Sequence, residues 1–105
     1  MSAPTLTPGE LRLVALDQGR FGGVHLLSVT EDWAQVAVLD TIWDCQPAPD
    51  VVADAMSAMQ LRVPIARLMP TLPSGAHRAV TTLKATALVD APLVTIVAGL
   101  IATAL

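Results

Sequence analysis

The sequence predicts an all-α domain of about four to five short helices, with a proline-rich middle connection and a C-terminal helix that is apolar on every side. Three observations carry that expectation. Two segments match the capping box, in which a Ser or Thr caps the first turn and a Glu three residues on returns the bond. Prolines at 47, 49, 64, 70 and 73 interrupt the middle of the chain, where each removes a backbone donor and blocks a continuing helix. Residues 91–105, A-P-L-V-T-I-V-A-G-L-I-A-T-A-L, carry no charge. A helix of that kind is buried all round or lies in lipid.

The first box, Thr7-Pro8-Gly9-Glu10, opens a helix over 8–18 with Leu11, Val14 and Ala15 on one stripe and Gly19 as its stop. The second, Ser28-Val29-Thr30-Glu31, opens a helix over 29–44, where Trp33, Val36, Ala37 and Trp43 fall near one face. Glu31 and Asp32 sit in its first turn, where the helix dipole favours negative charge. A strand reading competes. L-R-L-V-A-L, V-H-L-L-S-V and A-Q-V-A-V-L are rich in Val and Leu and suit short strands, with Gly19, Gly22 and Gly23 in a turn. That alternative makes the domain α+β with short N-terminal strands. The two capping boxes favour helix over 10–43.

Further along, Asp50 caps a helix over 51–61 with Val52, Met56 and Met59 on one stripe. Residues 63–75 read as an ordered connection with at most one helical turn around 65–69. Ser74 caps a helix over 76–89, and Asp90 caps the last segment, with Pro92 tolerated in its first turn. That last helix carries Ala91, Thr95, Gly99 and Thr103 at four-residue spacing. Such a row of small residues lets a second helix approach closely, with Leu93, Ile96 and Leu100 supplying apolar contact. Trp33 and Trp43 are large enough to anchor either a core or an interface.

The 105 residues make a single domain, 1–105. Hydrophobic residues make up 53% and charged residues 14%, about half the usual charged share. A small monomer covers its surface with charge, so this balance points to surface buried against something else. The net charge of −3 disfavours nucleic acid and anionic membranes as partners. Charge is also segregated. The charged residues from Glu31 to Asp54 are all acidic, and those from Arg62 to Lys84 are all basic, so the two segments can face one another.

Chemistry-bearing motifs are sparse. Asp40 and Asp44 stand four apart beside Cys45, with no further ligand at metal spacing. His25 and His77 are isolated. The G-R-F-G-G at 19–23 fits neither phosphate-loop pattern. No catalytic, cofactor or metal residues are assigned. The lone cysteine permits no intrachain disulfide, and the N-terminus has no signal-peptide pattern, so an intracellular setting is expected. The functional expectation is a non-enzymatic structural or interaction subunit of a homo-oligomer or larger assembly, of which a virion-type particle is one kind. Its partner is itself or another protein subunit, met through Ala91, Leu93, Thr95, Ile96, Gly99, Leu100 and Thr103, with Trp33 and Trp43. The alternative is a small membrane-associated protein anchored by its C-terminal segment. Fifteen uncharged residues fall short of the roughly twenty that a spanning helix needs.

Overall fold

The computed structural model describes residues 6–80 and 99–104. They form a five-stranded antiparallel sheet with three short helical elements in the same region, which corrects the all-α expectation. The strands are β1 (Glu10–Ala15), β2 (Phe21–Val29), β3 (Trp33–Leu39), β4 (Ser57–Pro64) and β5 (Leu72–His77). They lie in the order β4-β3-β2-β1-β5. Helix α1 (Pro49–Ala53) precedes β4, helix α2 (Ile65–Leu68) follows it, and a 3-10 turn (Asp17–Gly19) joins β1 to β2.

The segments expected as helices 8–18 and 29–44 are β1 and β3. Their near-continuous apolar runs have a physical origin. Leu11 to Val14 and Gly22 to Leu26 are buried at every position, because both faces of the sheet centre are covered. A strand buried on both faces loses its alternation and cannot be told from a buried helix by periodicity. The expected helix over 51–61 also divides. Only its start is helical, and Ser57 onward is β4. Ser74, expected as a helix cap, sits in β5. Its Oγ donates to the Leu11 carbonyl and accepts the Ala76 N–H at 3.0 Å. The expected helix over 76–89 has its first residues in β5 and beyond, and residues 81–98 lie outside the described residues.

Both capping boxes turn out to be turns beside strands, the first leading into β1 and the second joining β2 to β3. Pro8 and Gly9 occupy the two central positions of a β-turn closed by the Glu10 N–H on the Thr7 carbonyl (3.1 Å), with Gly9 at φ 93°. Proline followed by a positive-φ glycine is the type II signature. The second box is the β2–β3 hairpin. Thr30 N–H donates to the Trp33 carbonyl at 2.8 Å, and the Thr30 Oγ1 accepts the Trp33 N–H at 3.1 Å. Glu31 and Asp32 form its two-residue tip. The same Ser/Thr chemistry that caps helices also closes turns.

Two apolar layers flank the sheet. On one face Val14, Val24, Val36 and Val38 pack with Leu68 of α2 and Ile101 of the C-terminal helical segment, residues 99–104. On the other, Leu11, Leu13 and Leu39 pack with Val52 of α1. Gly22 and Gly23 let these layers approach. A Cβ on Gly22 would overlap Ile101, and one on Gly23 would come to 2.7 Å from Leu39. Close approach, rather than a turn, explains both glycines.

Two buried arginines fasten helices to the sheet. Arg12 of β1 donates to the Thr71 Oγ1 and carbonyl, each at 2.6 Å, just past α2, and pairs with Glu10 at 3.0 Å. Arg78 donates to the carbonyls of Ala53 (2.9 Å) and Ala55 (2.7 Å) at the end of α1. Arg78 thus lies near Asp54, whose charge acts to raise its pKa while burial, the larger effect, lowers it. This is one place where the basic segment meets the acidic one.

Candidate interaction surface

The sheet's two layers do not cover it evenly. Helix α1 lies against β5 and the β1 side. On the same face, the β3–β4 end carries Trp33, Gln35, Gln60 and Arg62, all exposed. Trp33 keeps 40% of its surface accessible although it is the largest side-chain type. The strand register sets these residues side by side. Gln35 is opposite Arg62 and Trp33 opposite Pro64, so Arg62 is the diagonal neighbour of Trp33. The Arg62 guanidinium lies 5.1 Å from the Trp33 ring centroid, within cation–π range. Gln35 Nε2 donates to Gln60 Oε1 at 3.1 Å. A shallow cleft of about 240 Å³ opens between Ser28, Thr30, Trp33, Gln35 and Arg62.

Strand β4 is an edge. Its pairing with β3 runs without interruption from Trp33↔Pro64 to Val38↔Met59. The Ile65 N–H donates to the Asp32 carbonyl at 2.9 Å, which fixes the phase of the ladder. In antiparallel pairs, hydrogen-bonded and non-hydrogen-bonded positions alternate. Val63, Leu61 and Met59 therefore turn their backbone groups toward β3. Gln60 and Arg62 turn theirs outward, where no other strand is paired to β4 among the described residues, and Ala58 stands unpaired at the register shift that follows Met59. Met59 and Met56 stand 38% and 43% exposed beside this edge. Pro64 closes the outward row at a position where an edge strand loses nothing by lacking an N–H.

The residues expected to form an interface are distributed as follows. Trp33 is on the open face. Trp43 is half-buried, packs against the α1-side layer and exchanges two backbone bonds of 2.8 Å with Phe21. Of the C-terminal row, Gly99, Leu100 and Thr103 are described, while Ala91, Leu93, Thr95 and Ile96 lie outside the described residues. Leu100 is exposed at 49%. A Cβ on Gly99 would meet no atom within 4 Å among the described residues. Thr103 Oγ1 donates to the Gly99 carbonyl at 2.8 Å. The residue in this segment that packs fully is Ile101, and it packs on the chain's own sheet.

Gln60 and Arg62 were not singled out from the sequence, although a signal existed. M-Q-L-R-V at 59–63 alternates strictly, as a half-exposed strand does. The Val52, Met56, Met59 spacing masked it.

Among the described residues the titratable groups form no metal-ligating cluster. His25 is fully buried, and its Nε2–H donates to the Arg78 carbonyl at 2.7 Å, while Nδ1 has no partner. Burial depresses its pKa below 6.5 despite that bond, and the charges of Arg78 and His77 push the same way. Cys45 is an exposed free thiol. Asp40 accepts the Thr41 hydroxyl at 3.0 Å. No group of three or more metal-ligating side chains occurs among the described residues, and no helix among them is long and apolar enough to cross a membrane. No family model matches the chain, and neither a curated protein nor a solved structure is significantly similar to it.

Proposed function

We propose that this chain is a non-enzymatic interaction subunit that assembles with protein through the β4 edge and the adjoining Trp33–Arg62 face. The observation that carries the reading is the outward row of backbone groups on β4, flanked by exposed Met56, Met59 and Trp33. A regular, uncovered strand edge is a template for another chain. Recognition by strand addition draws affinity from main-chain bonds and specificity from alternate side chains. The low charged share of the sequence supports the same reading. The test is the mass of the full chain in detergent-free solution, by light scattering over a range of concentrations. The proposal expects assembly, or capture of a partner, that is lost on Gln60→Lys. A monomer that binds nothing, or assembly indifferent to Gln60→Lys, contradicts it.

A further inference from the structure

We infer that the occupant of the β4 edge is the β4 strand of a second copy, antiparallel, about a two-fold axis at Gln60. The inference rests on the interaction-subunit reading and specifies its partner. Gln60 and Arg62 face outward and Ala58 stands unpaired at the adjoining register shift, so the three offer three N–H and three carbonyl groups per copy. An axis at Gln60 pairs Gln60 with its counterpart and Arg62 with Ala58 of the other copy. Every one of those groups then finds a partner.

Shifting the axis toward Pro64 makes the match worse. An axis at Leu61 places Ala58 opposite Pro64, which has no N–H, so the Ala58 carbonyl is left without a donor. It also brings the two Arg62 positions to about 7 Å along the strands, at 3.3 Å per residue. An axis at Arg62 sets the two arginines directly opposite, a destabilising arrangement. The Gln60 axis separates them by about 13 Å on the same spacing.

Side chains agree with that register. Met59 and Leu61 share the face that carries Val36 and Val38. Under the Gln60 axis, Met59 of each copy stands opposite Leu61 of the other, in the close non-hydrogen-bonded position. The exposed thioether of Met59 then gains an apolar cover. On the other face the two Gln60 amides meet, each beside a Trp33–Arg62 pair. The result is an isologous contact that joins two five-stranded sheets into one of ten strands. A single strand pair is a small interface, so association depends on concentration.

The test is a cross-link in a Cys45→Ser background. Gln60→Cys places two thiols across the axis at a Cα separation of about 5.5 Å, inside the range a disulfide spans. Gln35→Cys, one strand inward, is the control. The inference expects a covalent dimer on mild oxidation of Gln60→Cys, and none with Gln35→Cys. Gln60→Lys, by setting like charges together, should weaken association roughly a hundredfold. Defined assembly or partner capture without a Gln60→Cys cross-link overturns this pairing and leaves the subunit reading standing. A chain that neither self-associates nor captures protein overturns both. Equal cross-linking at both positions shows non-specific collision and also overturns the pairing.

Discussion

The two edges of the sheet are built on opposite plans. Strand β5 is guarded along its length. Pro73 removes a donor from it, Gly75 bends it at φ 79°, and its register with β1 shifts between Glu10 and Arg12. Helix α1 packs beside it, close enough that a Cβ on Gly75 would come to 3.3 Å from Pro49. These are the devices by which proteins stop an edge from pairing. Strand β4 keeps a regular register over six residues opposite 33–38, and its shift falls at the far end, between Val38 and Leu39. It carries one charge, Arg62, and places its proline at the terminus. An edge left regular in a fold that guards its other edge points to use rather than neglect.

Five variants separate the edges, and the largest effect belongs to the guarded side. Arg78→Ala should destabilise the fold by about 3 kcal/mol, since bonds from a charged donor contribute about 1.5–3 kcal/mol each and buried carbonyls lose their partners. Its denaturant midpoint should fall, with no specific effect on assembly among the molecules that remain folded. Next comes a proline pair on β4. Leu61→Pro removes a bond to β3 and should cost about 1–3 kcal/mol, whereas Gln60→Pro spares the inner ladder and should chiefly abolish association. Equal losses of stability would show that the phase assigned to β4 is wrong.

Acid should act through His25 of β2, which bonds the Arg78 carbonyl just past β5. His25 has a folded pKa held below the ordinary histidine value of 6.5, chiefly by burial. The unfolded chain therefore takes up the proton first as pH falls. The stability from neutral His25 is full above 6.5 and declines below it, by at most about 1.4 kcal/mol per pH unit for one proton. Urea titrations of the wild type and His25→Gln, at neutral and mildly acidic pH, should show that this part of the dependence vanishes in the variant. The smallest effect is that of Arg62→Ala on stability, about 0.5–1 kcal/mol for an exposed cation–π contact. A larger loss would mean that Arg62 is held by more than the Trp33 ring.

The helical forecast failed for local reasons that can be named. Thr7-Pro8-Gly9-Glu10 satisfies the capping pattern, yet the Pro-Gly pair equally specifies a type II turn, and the segment after it is a strand. Leu11 to Val14 and Gly22 to Leu26 are buried on both faces, which erased the alternation that would have announced strands. The alternation survived where one face is open, in Met59 to Val63. Other features were legible in part. The proline-rich stretch holds no more than the one helical turn expected, α2, although its two ends belong to β4 and β5, and the L-R-L-V-A-L, V-H-L-L-S-V and A-Q-V-A-V-L segments lie in or overlap β1, β2 and β3. Arg12 and Arg78 were not legible as helix fasteners, because their partners are carbonyls and hydroxyls brought near only by the fold. The edge at β4 could not be read before the strand order was known.

Amide hydrogen exchange along β4, followed residue by residue as the chain is diluted, tests the central claim most directly. At low concentration Met59, Leu61 and Val63 should be protected by β3, and Ala58, Gln60 and Arg62 should exchange freely. Raising the concentration should protect the second set, and Gln60→Lys should remove that protection while leaving the first set unchanged. If Ala58, Gln60 and Arg62 are protected at every concentration, the edge is covered within the chain. If they are never protected, no strand adds to it. Either result contradicts the account.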